Sequence, residues 1–185
     1  MKKSIVLGII VTMCCGVMAG DPSESGVPTS PLAIYSGGVG LGTIHSLNDT
    51  LKMESKTFFK LSFINDVYLT EKAHLFIDVD WLAPRANFGA DVGVDYLIMT
   101  SRFRPFLGAG VGARYFDKKG YDFGSNIGPA GTVHAGFIAD ISKTIQMRVR
   151  IPFHAVLNQT RDYGIGLDIG LLFSKPYRHV KKLDY

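Results

Sequence analysis

Residues 73–82 read AHLFIDVDWL, in which Leu75, Ile77, Val79 and Trp81 recur at a strict period of two and both aspartates fall on the intervening positions. Successive side chains of a β-strand point to opposite faces, so Leu75 and Trp81 share one face and Asp78 lies on the other. The pattern alone does not say which of the two faces contacts water. A soluble sheet would turn the aspartates to water, whereas a membrane barrel would turn them into its lumen and the aliphatic residues to lipid. The neighbouring stretches therefore decide the class of fold.

The N-terminal segment has the three parts of a secretory signal. Two lysines precede an apolar run over residues 5–18, and small residues follow it. The run is shorter than the roughly 20 apolar residues that a spanning helix needs. We predict a signal peptide over residues 1–19, with cleavage after Ala19 or Gly20, and a flexible leader rich in Pro, Ser and Gly over residues 20–31.

Both cysteines, Cys14 and Cys15, lie within this signal, so the mature chain is expected to have no thiol, disulfide or cysteine metal site. A lipoprotein signal would acylate one of them. Met13 precedes Cys14 where such a signal has a small residue, which favours the simple secretory signal.

Eight strand-like segments follow the leader, each with a continuous apolar face. Their length suits a tilted bilayer crossing better than a soluble sheet, whose strands usually have about five or six residues. Short connections follow the second, fourth and sixth segments, as in outer-membrane barrels, and an even count lets the last strand close on the first. We predict a single-domain, all-β, eight-stranded antiparallel up-and-down transmembrane β-barrel over residues 32–173. The segments are residues 32–44, 56–68, 73–82, 88–99, 104–116, 130–141, 144–157 and 163–173.

Outward-facing aromatic residues fall near the ends of these strands. One set lies near the expected outer interface and another near the inner one, as in the aromatic belts of membrane proteins. Ordinary core aromatics are the alternative interpretation. The predicted girdle consists of Tyr35, Phe59, Trp81, Phe88, Tyr96, Tyr115, Tyr163 and Phe173.

Three segments carry a resemblance to a known family: RPFLGAGVGARYF from Arg104, AGFIADISKTIQMRVRIPF from Ala135 and GIGLDIGLLF from Gly164. Their alternation resembles the OmpA/OmpX-like outer-membrane barrels, also called porin-like or opacity-type barrels. The resemblance extends over nearly all of the mature chain. It implies a bacterial outer-membrane location, insertion by the barrel-assembly machinery, and contact with outer-membrane lipid and lipopolysaccharide.

The chain departs from that family pattern in two places. Family members usually end on an aromatic residue of the last strand, but residues 174–185 continue beyond Phe173 and contain four basic residues. We interpret them as a solvated, basic periplasmic tail and expect no nucleic-acid partner for an exported protein. Pro152 lies inside the seventh strand, where a missing N–H predicts a bulge.

The inward face carries a dense set of ionisable groups. Eight strands enclose a space that side chains can just fill, so we interpret the set as a salt-bridge network that plugs the barrel rather than as a pore lining. Inward glycines of the first and eighth strands are expected to leave room for the arginines of the seventh. The predicted network consists of Lys60, Asp78, Asp80, Asp91, Asp95, Arg114, Asp140, Arg148, Arg150 and Asp168, with Asp66, His134 and His154 beside them.

Two expected loops contain candidate catalytic or binding residues. His45, Ser46 and Asp49 contain the side-chain types of a nucleophilic triad, but neighbouring loop residues rarely adopt that geometry. Residues 117–126 lack the full spacing of a calcium loop, and their Tyr121 and Phe123 suit a contact surface better. We therefore predict no catalytic residue, cofactor or metal.

The sequence favours a non-enzymatic outer-membrane barrel with a structural or surface-interaction, adhesion-like role. A narrow porin-type channel for small solutes is the first alternative. A soluble exported barrel of the lipocalin type is the second.

Overall fold

The computed structural model describes eight stretches of the chain. They are residues 35–48, 56–70, 72–84, 87–99, 101–116, 127–142, 144–157 and 162–174. The predicted signal peptide, its cleavage site at Ala19 or Gly20, and the leader lie outside the described residues. So do Asp49, Tyr121, Phe123 and the tail beyond Ser174.

Eight strands form one closed barrel, in which every strand pairs antiparallel with its sequence neighbours and the last closes on the first. This confirms the predicted fold class. Among the described stretches, no helix is long and apolar enough to cross a membrane. The strands are β1 (Tyr35–Ser46), β2 (Thr57–Tyr68), β3 (Ala73–Ala83), β4 (Asn87–Leu97), β5 (Phe103–Tyr115), β6 (Ile127–Asp140), β7 (Ile145–Val156) and β8 (Asp162–Ser174).

The period-two pattern of β3 sets the inside and outside of the wall. Phe76 and Asp78 are completely buried, whereas Ile77 and Trp81 are exposed on the outer face. Most strands repeat this arrangement, with aliphatic and aromatic side chains outside and charged, polar or small ones inside. A barrel that exposes its apolar face and buries its charges is the reverse of a soluble one.

The two ends of the barrel differ in their connections. Tyr35 and Ser174 lie at one end, here called the terminus end, together with the tight turns after β2, β4 and β6. Ser142 closes one of these turns, where the hydroxyl accepts from the backbone N–H of Ile145 at 3.0 Å. The other end, here called the loop end, carries the connections after β1, β3, β5 and β7.

Most predicted strand ends are wrong by one to three residues, and three of these errors change how a residue is placed. β1 extends to Ser46 because the backbone N–H of Ser46 still donates to Lys56 at 2.8 Å, so the polar residues taken for a loop belong to the wall. β6 begins at Ile127, opposite Tyr115, rather than at residue 130. Ser174, assigned to the tail, is the last residue of β8 and pairs with Ser36.

The predicted bulge at Pro152 is absent. Arg150 pairs with Asp168 and Phe153 with Ile165, so the register is the same on both sides of the proline. The β6 side also continues without a shift, and Pro152 lies opposite His134. The proline interrupts pairing with β8 without inserting a residue, because it lacks an N–H but keeps an extended backbone.

Candidate functional site

The largest group of buried charges lies inside the barrel, in a chain of alternating sign. At one end Asp91 on β4 accepts two hydrogen bonds from Arg114 on β5, at 3.0 and 2.5 Å. Arg114 Nη2 lies 3.7 Å from Asp80 Oδ2, and Lys60 Nζ lies 3.6 Å from the same oxygen. A bidentate pair therefore continues through two longer ion pairs to β2.

The chain then passes over Gly42 of β1, which pairs with Lys60 on one side and with Asp168 on the other. Lys60 Nζ donates to Asp168 Oδ2 on β8 at 2.6 Å. Arg150 on β7 donates to the same oxygen, with Nη2 at 2.9 Å, and also lies 2.6 Å from Asp78 Oδ2 on β3. Asp168 and Asp78 each bridge two cations through Oδ2, because one carboxylate oxygen can accept more than one hydrogen bond.

Arg148 forms the last two links. Its Nη2 donates to Asp78 at 2.9 Å and its Nη1 to Asp66 on β2 at 2.8 Å. The chain thus runs Asp91, Arg114, Asp80, Lys60, Asp168, Arg150, Asp78, Arg148, Asp66. It contains five carboxylates and four cations from six strands, and we call it the ion chain.

Phe76 holds the middle of the ion chain in place. Its ring centroid lies 6.0 Å from the guanidinium carbon of Arg148 and 5.8 Å from that of Arg150, within cation–π range. A Cβ added at Gly93 or Gly110 would approach Phe76 Cζ to 2.6 or 2.7 Å, so these two glycines make room for the ring. The wall is therefore thinned beside the Phe76 ring.

Two further contacts between ionisable side chains lie outside the ion chain. His134 Nε2 is 2.6 Å from Asp95 Oδ1, with both side chains buried, and the rings of Phe76 and Phe106 meet the imidazole edge-on. At the terminus end Arg104 pairs with Asp140, whose side chain is a quarter exposed. Arg104 was missing from the predicted network, although it lies two residues before the inward-facing Phe106 on β5 and therefore faces the same side.

Apolar side chains cover the ion chain toward the loop end. Six buried residues pack into one cluster there, five from different strands and one directly after β5. We call it the loop-end cluster, and its members are Ile44, Phe58, Leu82, Phe116, Ala130 and Val156. A smaller cluster of Leu97, Phe106 and Ile138 fills part of the lumen toward the terminus end. The rings of Phe58 and Phe116 lie 6.3 Å apart.

All ten predicted network residues point into the barrel or, for Asp140, lie at its rim. Eight of them join the ion chain together with Asp66, whereas Asp95 and Asp140 pair elsewhere. The expected use of the glycines was wrong. The side chain nearest to a Cβ added at Gly40 or Gly170 is Ile64, because the arginines lean over Phe76 instead.

The predicted girdle residues all lie on the outer face. Trp81 pairs across the ladder with Phe88, and Phe88 with Tyr115, which gives one aromatic row over three strands near the loop end. Phe103 and Phe137 at the terminus end were missed; their rings lie 4.9 Å apart. Contact of these rings with membrane interfaces stays a prediction.

His45 and Ser46 do not form a catalytic pair in this barrel. His45 is on the outer face, where Nδ1 lies 2.9 Å from the Thr57 hydroxyl. Ser46 is buried inside and donates to Asp162 Oδ1 at 2.6 Å. Adjacent strand residues face opposite sides, so the two side chains cannot share a proton. Within the described part of the chain, no group of three or more His, Cys, Asp or Glu side chains is arranged to hold a metal ion.

Comparison with solved structures shows the same fold in barrels of bacterial outer-membrane proteins. The structure of Neisserial surface protein A (NspA) matches with a TM-score of 0.59 and 13% identity over 76% of this chain and 97% of that one. The outer membrane protein OprG of Pseudomonas aeruginosa matches with a TM-score of 0.55 and 10% identity over 77% and 96%. The N-terminal barrel domain of OprF from the same species matches with a TM-score of 0.50 and 12% identity over 75% and 97%.

At these identities the likeness shows the fold alone. No model of a protein family matches the chain, and no curated protein sequence matches it either. The neighbours are outer-membrane proteins of Gram-negative bacteria.

Proposed function

We propose that this protein is a non-conducting, non-enzymatic barrel of the bacterial outer membrane, which supports the envelope and presents its loops for surface interaction. The observation that carries the proposal is the filled lumen. The ion chain occupies its centre, and the loop-end cluster covers it. The ion pairs therefore place bonded side chains across the lumen from one part of the wall to another.

Burial argues against a water-filled pore. The side chains of Lys60, Asp66 and Asp78 have no exposed surface, and that of Arg148 is only 2% exposed. Groups that line an aqueous channel are hydrated, whereas these are paired with one another at hydrogen-bond distance. Opening a path would separate buried charges from their partners, at a cost of several kcal/mol for each ion.

The outer face supports a membrane location. Leu41, Val111 and Leu167 on different strands are 67%, 66% and 46% exposed, and each has apolar neighbours around it. A contiguous apolar surface of this kind is unfavourable in water and suits the hydrocarbon of a bilayer. We propose outer-membrane lipid and lipopolysaccharide as its surroundings, and the barrel-assembly machinery as its route there.

The loop end is the proposed interaction surface. All the longer connections emerge there, on a wall whose strands are fixed by continuous pairing. Loops on a rigid scaffold commonly carry binding, and residues 117–126 include two aromatic residues suited to anchor a partner. Replacing residues 117–126 with a short Gly-Ser turn should abolish attachment of cells that display the protein to a surface and leave the folded barrel intact, because a hairpin loop needs at least about two residues. Retained attachment would contradict an interaction role for this loop.

Single-channel recording tests the closed lumen. The full chain is refolded, its fold is checked by the heat-dependent shift in gel mobility, and it is inserted into a planar bilayer. We expect a folded barrel without discrete current steps. Reproducible openings would contradict the proposal and favour the narrow channel. A Phe58→Ala, Phe116→Ala variant is the matched control: it opens the loop-end cluster but keeps the ion chain, so it should also remain silent.

A further inference from the structure

The three tight turns at the terminus end share one arrangement of side chains. The first residue after β2, β4 and β6 is in each case an exposed aliphatic one: Leu69, Ile98 and Ile141 are 57%, 54% and 55% exposed. Tight turns are usually formed by glycine, proline and small polar residues, for reasons of backbone geometry. An exposed aliphatic side chain at the same position of all three hairpins therefore has no role in forming the turns.

These aliphatic residues are held firmly at the ends of their hairpins. The backbone N–H of each donates to a carbonyl of the returning strand; the pairs are Leu69 with Ala73 at 2.9 Å, Ile98 with Pro105 at 2.8 Å and Ile141 with Ile145 at 3.0 Å. Each lies two residues beyond an outward-facing position of its strand, so its side chain points away from the lumen. The three hairpins follow one another along the closed wall, so the medium that contacts these side chains surrounds the barrel.

Two of the turns also present a cation. Lys72 directly precedes β3 and Arg102 directly precedes β5, and both are exposed. Neither side chain forms an ion pair with another described residue. The hydroxyl of Thr70 accepts from the backbone N–H of Lys72 at 3.2 Å, so the first turn holds its own backbone and leaves the ammonium group available.

The charge at this end of the barrel is positive. The only acidic residue within the sequence of the three turns is Glu71, against Lys72, Arg102 and Lys143. The neighbouring carboxylate of Asp140 is already paired with Arg104. At Ser174, whose N–H donates to a carbonyl of the third turn at 2.9 Å, the last strand ends, and the sequence continues with four further basic residues.

We propose that Leu69, Lys72, Ile98, Arg102 and Ile141 form a binding surface for anionic phospholipid in the leaflet at the terminus end, here called the rim site. The inference rests on the proposed membrane location. The aliphatic side chains contact the acyl chains next to the glycerol backbone, and the two cations bind the phosphate groups of lipids such as phosphatidylglycerol. One phospholipid molecule combines an apolar and an anionic part, which is the combination that each of these turns complements.

Spin-labelled lipids test the rim site. The full chain is refolded in phosphatidylcholine vesicles that contain a small amount of spin-labelled phosphatidylglycerol or phosphatidylcholine, and the heat-dependent shift in gel mobility confirms folding. The fraction of each label that the barrel immobilises is then compared. One basic side chain near an anionic surface strengthens binding by about fivefold, and averaging over the unselective lipid shell leaves an expected preference for phosphatidylglycerol of about twofold. This preference should disappear in about 1 M salt, where the Debye length is about 3 Å.

Substitutions locate the preference within the barrel. Lys72→Gln and Arg102→Gln should each lower it, and Ile98→Ser should lower it while every charge stays in place. Lys56→Gln is the matched control, because Lys56 is also an exposed lysine directly before a strand, but at the loop end next to the polar Thr57. It should keep the preference of the wild type.

The outcomes separate the rim site from the membrane location. A chain that does not fold into the vesicles would overturn both. A folded barrel that immobilises the two lipids equally would overturn the rim site alone. The same holds if Lys56→Gln lowers the preference as much as Lys72→Gln does.

Discussion

Arg148 on β7 reaches across the lumen to Asp66 on β2, where its Nη1 lies 2.8 Å from Oδ1. Two other strands, β8 and β1, separate these strands along the wall. The pair therefore ties opposite walls together, unlike the ladder bonds, which join only neighbours. Because Arg148 also binds Asp78, loss of this one guanidinium leaves two buried carboxylates short of a cation.

Truncation of the arginines of β7 should destabilise the barrel. Arg148→Ala should lower the free energy of unfolding by about 3–5 kcal/mol, because it leaves the buried carboxylate of Asp66 without a cation. Arg150→Ala should cost less, because each carboxylate that Arg150 binds keeps one other cation. Urea unfolding of the refolded protein measures the effect. Arg102→Ala, at an exposed turn, is the control and should change little. Unchanged stability of both lumen variants would refute the structural role of the ion chain.

The glycines beside Phe76 should tolerate no side chain. Gly110→Ala places a Cβ within 2.7 Å of Phe76 Cζ and of a backbone oxygen of β4, so either the ring or the wall must shift. We expect a loss of about 1–3 kcal/mol in unfolding free energy. Gly131→Ala is the matched control, because nothing lies within 4 Å of a Cβ at that position. Equal stability of the two variants would show that the ring moves aside freely.

The face of each residue could be predicted from sequence because the period of a strand is two, and a slip by one residue would expose Asp78 and bury Ile77. The ion-pair partners within the lumen could not be predicted in this way. Lys60 on β2 binds Asp168 on β8, and such pairs depend on how the closed barrel staggers its strands. The strand ends could not be predicted from the alternation either. Ser46 has the polar character of a loop residue, and only its backbone bond to Lys56 and its side-chain bond to Asp162 show that it belongs to β1.

His45 and Ser46 should respond oppositely to truncation although they are adjacent. Ser46→Ala leaves Asp162 without its hydroxyl donor inside the barrel and should cost about 1–3 kcal/mol of stability. His45→Ala removes an exposed hydrogen bond to Thr57 and should cost less than about 0.5 kcal/mol. Lipid A from cells that overproduce either variant should match that of cells with the wild type. A change in lipid A that depends on His45 would instead indicate an enzyme.

Arginine substitutions along the outer face of β8 should measure how deeply the barrel lies in a bilayer. Ile169 lies in the middle of the strand and pairs with Leu41 and Val149, whereas Tyr163 is the second residue at the loop end. If the apolar face meets hydrocarbon, Ile169→Arg should cost about 2–4 kcal/mol of unfolding free energy in lipid vesicles and Tyr163→Arg only about 0–1. The difference arises because a guanidinium near the interface stays hydrated, whereas one at the middle of the bilayer must either lose its hydration or distort the bilayer to keep it. Equally small losses at both positions would mean that this face is solvated, and the membrane location would have to be abandoned.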